Sequence, residues 1–193
     1  MPTAQIDGRH SRLLAVETPT ALGHTSTLTI IDPSTAPHRI DAALLKREVN
    51  ARLDDHPMLR QSLVEVPLGL DRPYWRDHLG FDLDYHLRYI AVPDPDDPNS
   101  LADLVARIHS RPLDRNRPLW ELFLIEDLSG DRTALLAKVH HCMIDGVSGI
   151  ELLMAALDVS PQPSPPQSEE TAYDPGPMRG PQTRVIDALF HHV

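Results

Sequence analysis

The chain has 193 residues, 41% apolar and 24% charged, which fits a globular protein with a core of ordinary size. A formal net charge of -10 argues against a nucleic-acid partner, because phosphate binding needs clustered Lys and Arg and no such stripe is present. The single cysteine, Cys142, excludes an internal disulfide framework, so a cytoplasmic chain is expected. The polar first residues do not read as a signal peptide, and no apolar run is long enough to span a bilayer. Any membrane association is therefore expected to be peripheral.

Taken in chain order, His24–Ile31 is rich in Thr and Ile and predicts a strand closed by Asp32-Pro33. Residues 40–53 turn helical, with Ile40, Leu44, Leu45, Val49 and Leu53 at helical spacing, Asp41 in the first turn and Pro57 barring continuation. Residues 60–66 and 87–92 read as short strands, the second ended by the acidic, proline-broken loop 93–98. Ser100 is expected to cap a helix with Leu101, Leu104, Val105 and Ile108 on one face.

Two stronger strands follow, at residues 119–126 and 134–140, joined through Ser129-Gly130-Asp131. The second is almost wholly apolar, as expected of a central strand buried on both faces. The period then changes, and Val147, Ile150, Leu153, Met154 and Leu157 mark an amphipathic helix. Between Pro161 and Pro181 lie seven of the 19 prolines, a linker composition. Val185, Ile186, Leu189 and Phe190 restart a helical pattern. The expected organisation is a folded unit at 1–158, a linker at 159–182, and at 183–193 the start of a helix leading to a C-terminal half that is not in this sequence.

The sharpest local feature is Val139-His140-His141-Cys142-Met143-Ile144-Asp145-Gly146, where the buried strand ends and a helix begins. Successive strand side chains point to opposite faces, so His140 and His141 should not do the same job. An imidazole suits general-base work because its pKa lies near working pH. Gly146 allows tight packing at the turn. From the residues alone, the pair fits a functional and a structural role equally, and Asp145 fits the N-cap of the following helix. Zinc is a poorer reading, since adjacent strand histidines diverge and no set with zinc spacing completes the site. Nothing around Cys142 marks an activated thiol.

His140-His141 with Asp145-Gly146 forms H-H-x-x-x-D-G, which resembles the signature of the condensation-type, coenzyme A-dependent acyltransferases. Residues 112–121, PLDRNRPLWE, are similar to the P-L-D-R-x-R-P-L-W-E block of the wax ester synthase/diacylglycerol acyltransferase family. Residues 81–86 resemble that family's preceding segment, and Glu17-Thr18-Pro19 with His24 resembles its N-terminal motif. Here the chain carries Leu22-Gly23-His24-Thr25 in place of the usual P-M-H-V, a departure expected to alter the substrate entrance.

The resemblance implies an α/β fold, a chloramphenicol acetyltransferase-like half with a mixed β-sheet flanked by helices. It implies that His141 acts as base while a hydroxyl attacks the thioester of an acyl-CoA, with His140 and Asp145 holding the loop. No cofactor is implied, acyl-CoA being a substrate, and the acceptor would be a diacylglycerol or a fatty alcohol. Gly146, Pro118, Leu119 and Trp120 enter as motif residues, with Pro118-Leu119-Trp120 expected to help shape an apolar tunnel. The implied partners are a C-terminal half and, peripherally, the inner membrane or a lipid-droplet surface. Two other readings are a peptide-synthetase condensation half-domain, which the P-L-W-E block disfavours, and an inactive half or lipid-surface binding module.

Overall fold

The computed structural model describes residues 4–36 and 39–143. Asp145, Gly146, the expected helix at 147–157, the linker and the last segment lie outside the described residues. The main sheet has four strands in the order β1-β6-β5-β4: His24–Ile31 (β1), Leu87–Ala91 (β4), Trp120–Leu128 (β5) and Arg132–His140 (β6). β1 and β5 pair antiparallel with β6, whereas β4 runs parallel to β5. A parallel neighbour needs a crossover, and the helix Ser100–His109 (α4) supplies it. The sheet is mixed, as expected, and β6 is an interior strand. A small antiparallel pair, Gln61–Val64 (β2) and Tyr74–Asp77 (β3), stands apart from it.

Strand alternation divides the core into two layers. Leu136, Ala134 and Ile125 face Leu104 and Ile108 of α4. Val139 and Trp120 face the opposite way, toward Leu14 of the helix Gly8–Val16 (α1) and Leu53, which caps the helix Ala42–Arg52 (α2). Both faces of β6 are thus covered, which is why its sequence is apolar almost throughout. At about 25 cal/mol per Å² of apolar surface removed from water, these layers supply most of the stabilisation.

Helix starts follow capping chemistry. The Asp7 carboxylate accepts from the N–H groups of Arg9 and His10. Asp41, expected inside the first turn of α2, is its N-cap, with its carboxylate 2.7 Å from the Leu44 nitrogen. Ser100 corrects an expectation. It is the first residue of α4 rather than the cap; Asn99 holds the cap position, and the Ser100 hydroxyl accepts from the Asp94 N–H at 3.1 Å. That bond folds the acidic loop back onto the helix. A short helical turn, Leu83–His86 (α3), runs straight into β4.

Candidate active site

β6 ends at His140, and a 3-10 turn begins at His141. The two histidines therefore part company, as the sequence implies: His140 is 1% exposed, whereas His141 is solvent-exposed. Their backbone is held from three directions. The His140 N–H donates to the Leu119 carbonyl at 3.0 Å, and the His141 N–H donates to the Gly23 carbonyl at 2.8 Å. The Cys142 N–H donates to His140 Nδ1 at 3.1 Å. His141 is thus bracketed by its own amide on one side and its successor's amide on the other.

Because His140 Nδ1 accepts, the ring's proton sits on Nε2 when it is neutral. Burial drives its pKa from near 6.5 to about 4, against the opposing pull of Glu17, so the ring is neutral at pH 7. Nε2 lies 3.6 Å from Glu17 Oε2, too long for a full hydrogen bond. Glu17 is itself built in. Its Oε1 accepts from the Gly23 N–H at 3.0 Å, and its Oε2 accepts from Arg115 Nε at 3.1 Å and Nη2 at 2.5 Å. Arg115 Nη2 also donates to the Leu14 carbonyl at 2.8 Å, tying the end of α1 to the site. Burial raises the Glu17 pKa, but the Gly23 N–H and the Arg115 guanidinium outweigh it and hold the carboxyl below its ordinary range.

The departure at Gly23 has its physical counterpart here. A Cβ on Gly23 would stand 2.6 Å from His140 Nε2 and 3.0 Å from Cε1, so a larger residue cannot coexist with this ring position. Whatever its effect at a substrate entrance, within the described residues the glycine makes room for His140.

A polar row shares the α4 face of the sheet. His24 lies opposite His140 in the strand register, and Ser26 lies opposite Lys138. His24 Nε2 donates to the His109 carbonyl at 2.7 Å, and Lys138 Nζ donates to the Ile108 carbonyl at 3.1 Å and to the Arg111 carbonyl. These are carbonyls at and just beyond the C-terminal end of α4, which a helix leaves without internal partners. Lys138 is wholly buried, with Glu121 Oε2 at 3.9 Å. Neither the lysine nor Glu17 is a candidate in the sequence reading. The signal was present for Lys138: a lone lysine in an otherwise apolar strand must find acceptors.

Other expected site residues find places by packing. Leu119 and Trp120 are buried in the core, and Trp120 Nε1 donates to the Leu59 carbonyl at 2.7 Å. The Pro118-Leu119-Trp120 segment meets the histidines through backbone, by the Leu119 carbonyl, rather than by presenting those side chains. Arg115 engages Glu17, Arg60 engages Asp54, and Arg117 lies over the Tyr85 ring at 3.9 Å. Cys142 is buried, which pushes its thiol up to about 12, so it is no nucleophile near neutral pH. Among the described residues no group of three His, Cys, Asp or Glu side chains is arranged to hold a metal ion. No helix among them is long and apolar enough to cross a membrane.

A mixed sheet with this strand order and crossover helix is the fold shared by condensation domains and by a wax ester synthase/diacylglycerol acyltransferase of known structure. The first condensation domain of the calcium-dependent antibiotic synthetase superposes with a TM-score of 0.63, covering 81% of this chain and 36% of its own; at 22% identity it shares the fold alone. The wax ester synthase/diacylglycerol acyltransferase from Marinobacter aquaeolei VT8 also superposes at 0.63, with 30% identity over 78% of this chain and 37% of its own. The chain belongs to the wax ester synthase/diacylglycerol acyltransferase catalytic-domain family, which it matches over residues 8–191. A Mycobacterium tuberculosis protein provisionally named a diacylglycerol O-acyltransferase is 32% identical over 185 residues, covering 96% of this chain and 39% of that protein. A second from the same organism, provisionally named likewise, is 42% identical over 119 residues, covering 62% and 44%. The chain thus spans less than half the length of these relatives.

Proposed function

We propose that this chain contributes the histidine-bearing half of an O-acyltransferase that passes a long-chain acyl group from acyl-CoA to a diacylglycerol or fatty alcohol. The observation that carries this reading is the division of labour within the pair. His140 is buried, neutral and engaged with backbone, while His141 is exposed with its backbone fixed on both sides. Only His141 can meet a substrate. Its imidazole takes the proton from the acceptor hydroxyl as that oxygen bonds to the thioester carbonyl carbon. The carbon–sulfur bond then breaks, and the thiolate leaves and recovers a proton. No acyl-enzyme forms, in keeping with the inert Cys142 thiol. His140 supports the turn, and Asp145 and Gly146 complete the motif beyond it.

The names of the family and of the similar proteins support acyl transfer and the acceptor classes. Because relatives extend well beyond the matched region, and ligand sites are clefts that need opposing walls, the reaction requires a C-terminal half. The test supplies palmitoyl-CoA with either a fatty alcohol or a diacylglycerol, to the chain alone and to the chain fused to the C-terminal half of the Mycobacterium tuberculosis relative. Thiol release with ester formation by the fusion, and none by the chain alone, is the expected result. A fusion that folds and forms no ester from either acceptor contradicts the reading.

A further inference from the structure

We propose that Glu17, held by Arg115, is a positioning residue for His141, acting through the Gly23 backbone and the His140 ring; this rests on His141 being the base. The Glu17 carboxylate fixes Gly23 by its N–H, and the Gly23 carbonyl in turn accepts the His141 N–H at 2.8 Å. One peptide segment thus transmits the carboxylate's position directly to the exposed histidine. A second route runs through the ring. Glu17 Oε2 faces the proton-bearing Nε2 of His140, whose Nδ1 receives the Cys142 N–H. Both peptide groups flanking the His141 side chain therefore lead back to one carboxylate. Gly23 permits the convergence, because any Cβ there would displace the ring.

Arg115 makes the carboxylate usable in so enclosed a place. Glu17's side chain is only 11% exposed, and two guanidinium N–H groups on Oε2 offset the loss of water. Arg115 also belongs to the P-L-D-R-x-R-P-L-W-E block, whose Leu119 carbonyl holds the His140 N–H. The N-terminal motif, the P-L-W block and the histidine pair are therefore parts of one hydrogen-bonded assembly. Glu17 does not itself act as base: both its oxygens are engaged, and its pKa is held low.

The test compares wild type with Glu17→Ala, Glu17→Gln and Arg115→Lys, the last two keeping an acceptor or a charge in place. In the ¹⁵N-labelled chain, amide exchange at His141 and Cys142 should quicken about tenfold in Glu17→Ala, while Leu136 and Ala137 within β6 keep their protection. In the fusion, kcat should fall about 100-fold with KM for palmitoyl-CoA little changed, and Glu17→Gln should recover part of the loss. Unchanged protection at His141, or equal loss along all of β6, overturns the proposal. If Glu17→Ala does not fold, Arg115→Lys carries the same comparison. Wild-type kcat for Glu17→Ala beside an inactive His141→Ala defeats the positioning role alone; full turnover by His141→Ala defeats the base assignment instead, and the exchange result stands apart from it.

Discussion

His140 and His86 are the two residues whose surroundings leave the plainest thermodynamic mark. His86 is 1% exposed, stacked between Phe81 and Trp120, and its Nδ1 donates to the Trp120 carbonyl at 2.8 Å. Burial takes both imidazoles from near 6.5 to about 4. A histidine with a depressed folded pKa contributes stability that is present above its unfolded pKa and lost as pH falls toward the folded one. Stability should therefore drop between pH 7 and pH 5, measured as a lower urea midpoint, and His86→Phe should reduce that drop. An equal midpoint at both pH values would show that these rings are not neutral in the fold. At Gly23, substitution by Ala should destabilise the chain by about 1–3 kcal/mol, because the new methyl must push a fully packed ring rather than a flexible chain end. A Gly23→Ala thermal midpoint equal to wild type would mean that His140 moves aside at no cost.

At the scale of elements, the joint between α4 and the sheet turns on a lysine. Lys138 serves two carbonyls at the end of α4, and His24 serves a third between them. Replacing Lys138 by Met keeps the volume but removes the ammonium donor from both carbonyls, of which Ile108 keeps only the Arg111 N–H at 3.3 Å and the Ser110 N–H. A loss of about 2–4 kcal/mol is expected in urea unfolding, together with faster exchange at the last turn of α4. A neutral or stabilising Lys138→Met would mean that the apolar gain offsets both lost bonds.

The same joint shows what the sequence can and cannot disclose. β1, α2, α4, β5 and β6 follow from hydrophobic period and turn residues, within a residue or two at most ends. α1 and β3 do not, because their burial depends on distant partners: α1 buries only Leu14, and β3 is a four-residue strand that pairs with β2. That His140 and His141 play different parts is legible from their place at a strand end, but what parts them is the 3-10 turn that starts at His141, since β6 stops at His140 and strand alternation does not reach its neighbour. Glu17 and Arg115 are far apart in the chain, and no spacing rule joins them; their meeting is visible only once α1 and the loop before β5 are packed together. The Gly23 departure is legible as a change of letter, but its meaning depends on where the His140 ring lies.

At the scale of the whole molecule, the described part is a mixed sheet whose interior strand β6 ends on a buried histidine followed by an exposed one, and the exposed one is braced from both sides. Each bracing contact is backbone to backbone, or backbone to a buried side chain, so the turn is set before any substrate arrives. That preorganisation is what general-base catalysis asks of a scaffold. It also predicts that the two histidines fail differently when removed. His140→Ala should lower the thermal midpoint by leaving the Cys142 N–H without its acceptor and a void where the buried ring packs, whereas His141→Ala should leave the fold intact.

The central claim, that His141 is the base, is tested most directly by thiol release from palmitoyl-CoA in the fusion bearing His141→Ala, with its thermal midpoint measured alongside. The expected result is a fall in kcat of about 10²–10⁴-fold at an unchanged midpoint; turnover at the wild-type rate by a folded His141→Ala protein would contradict it.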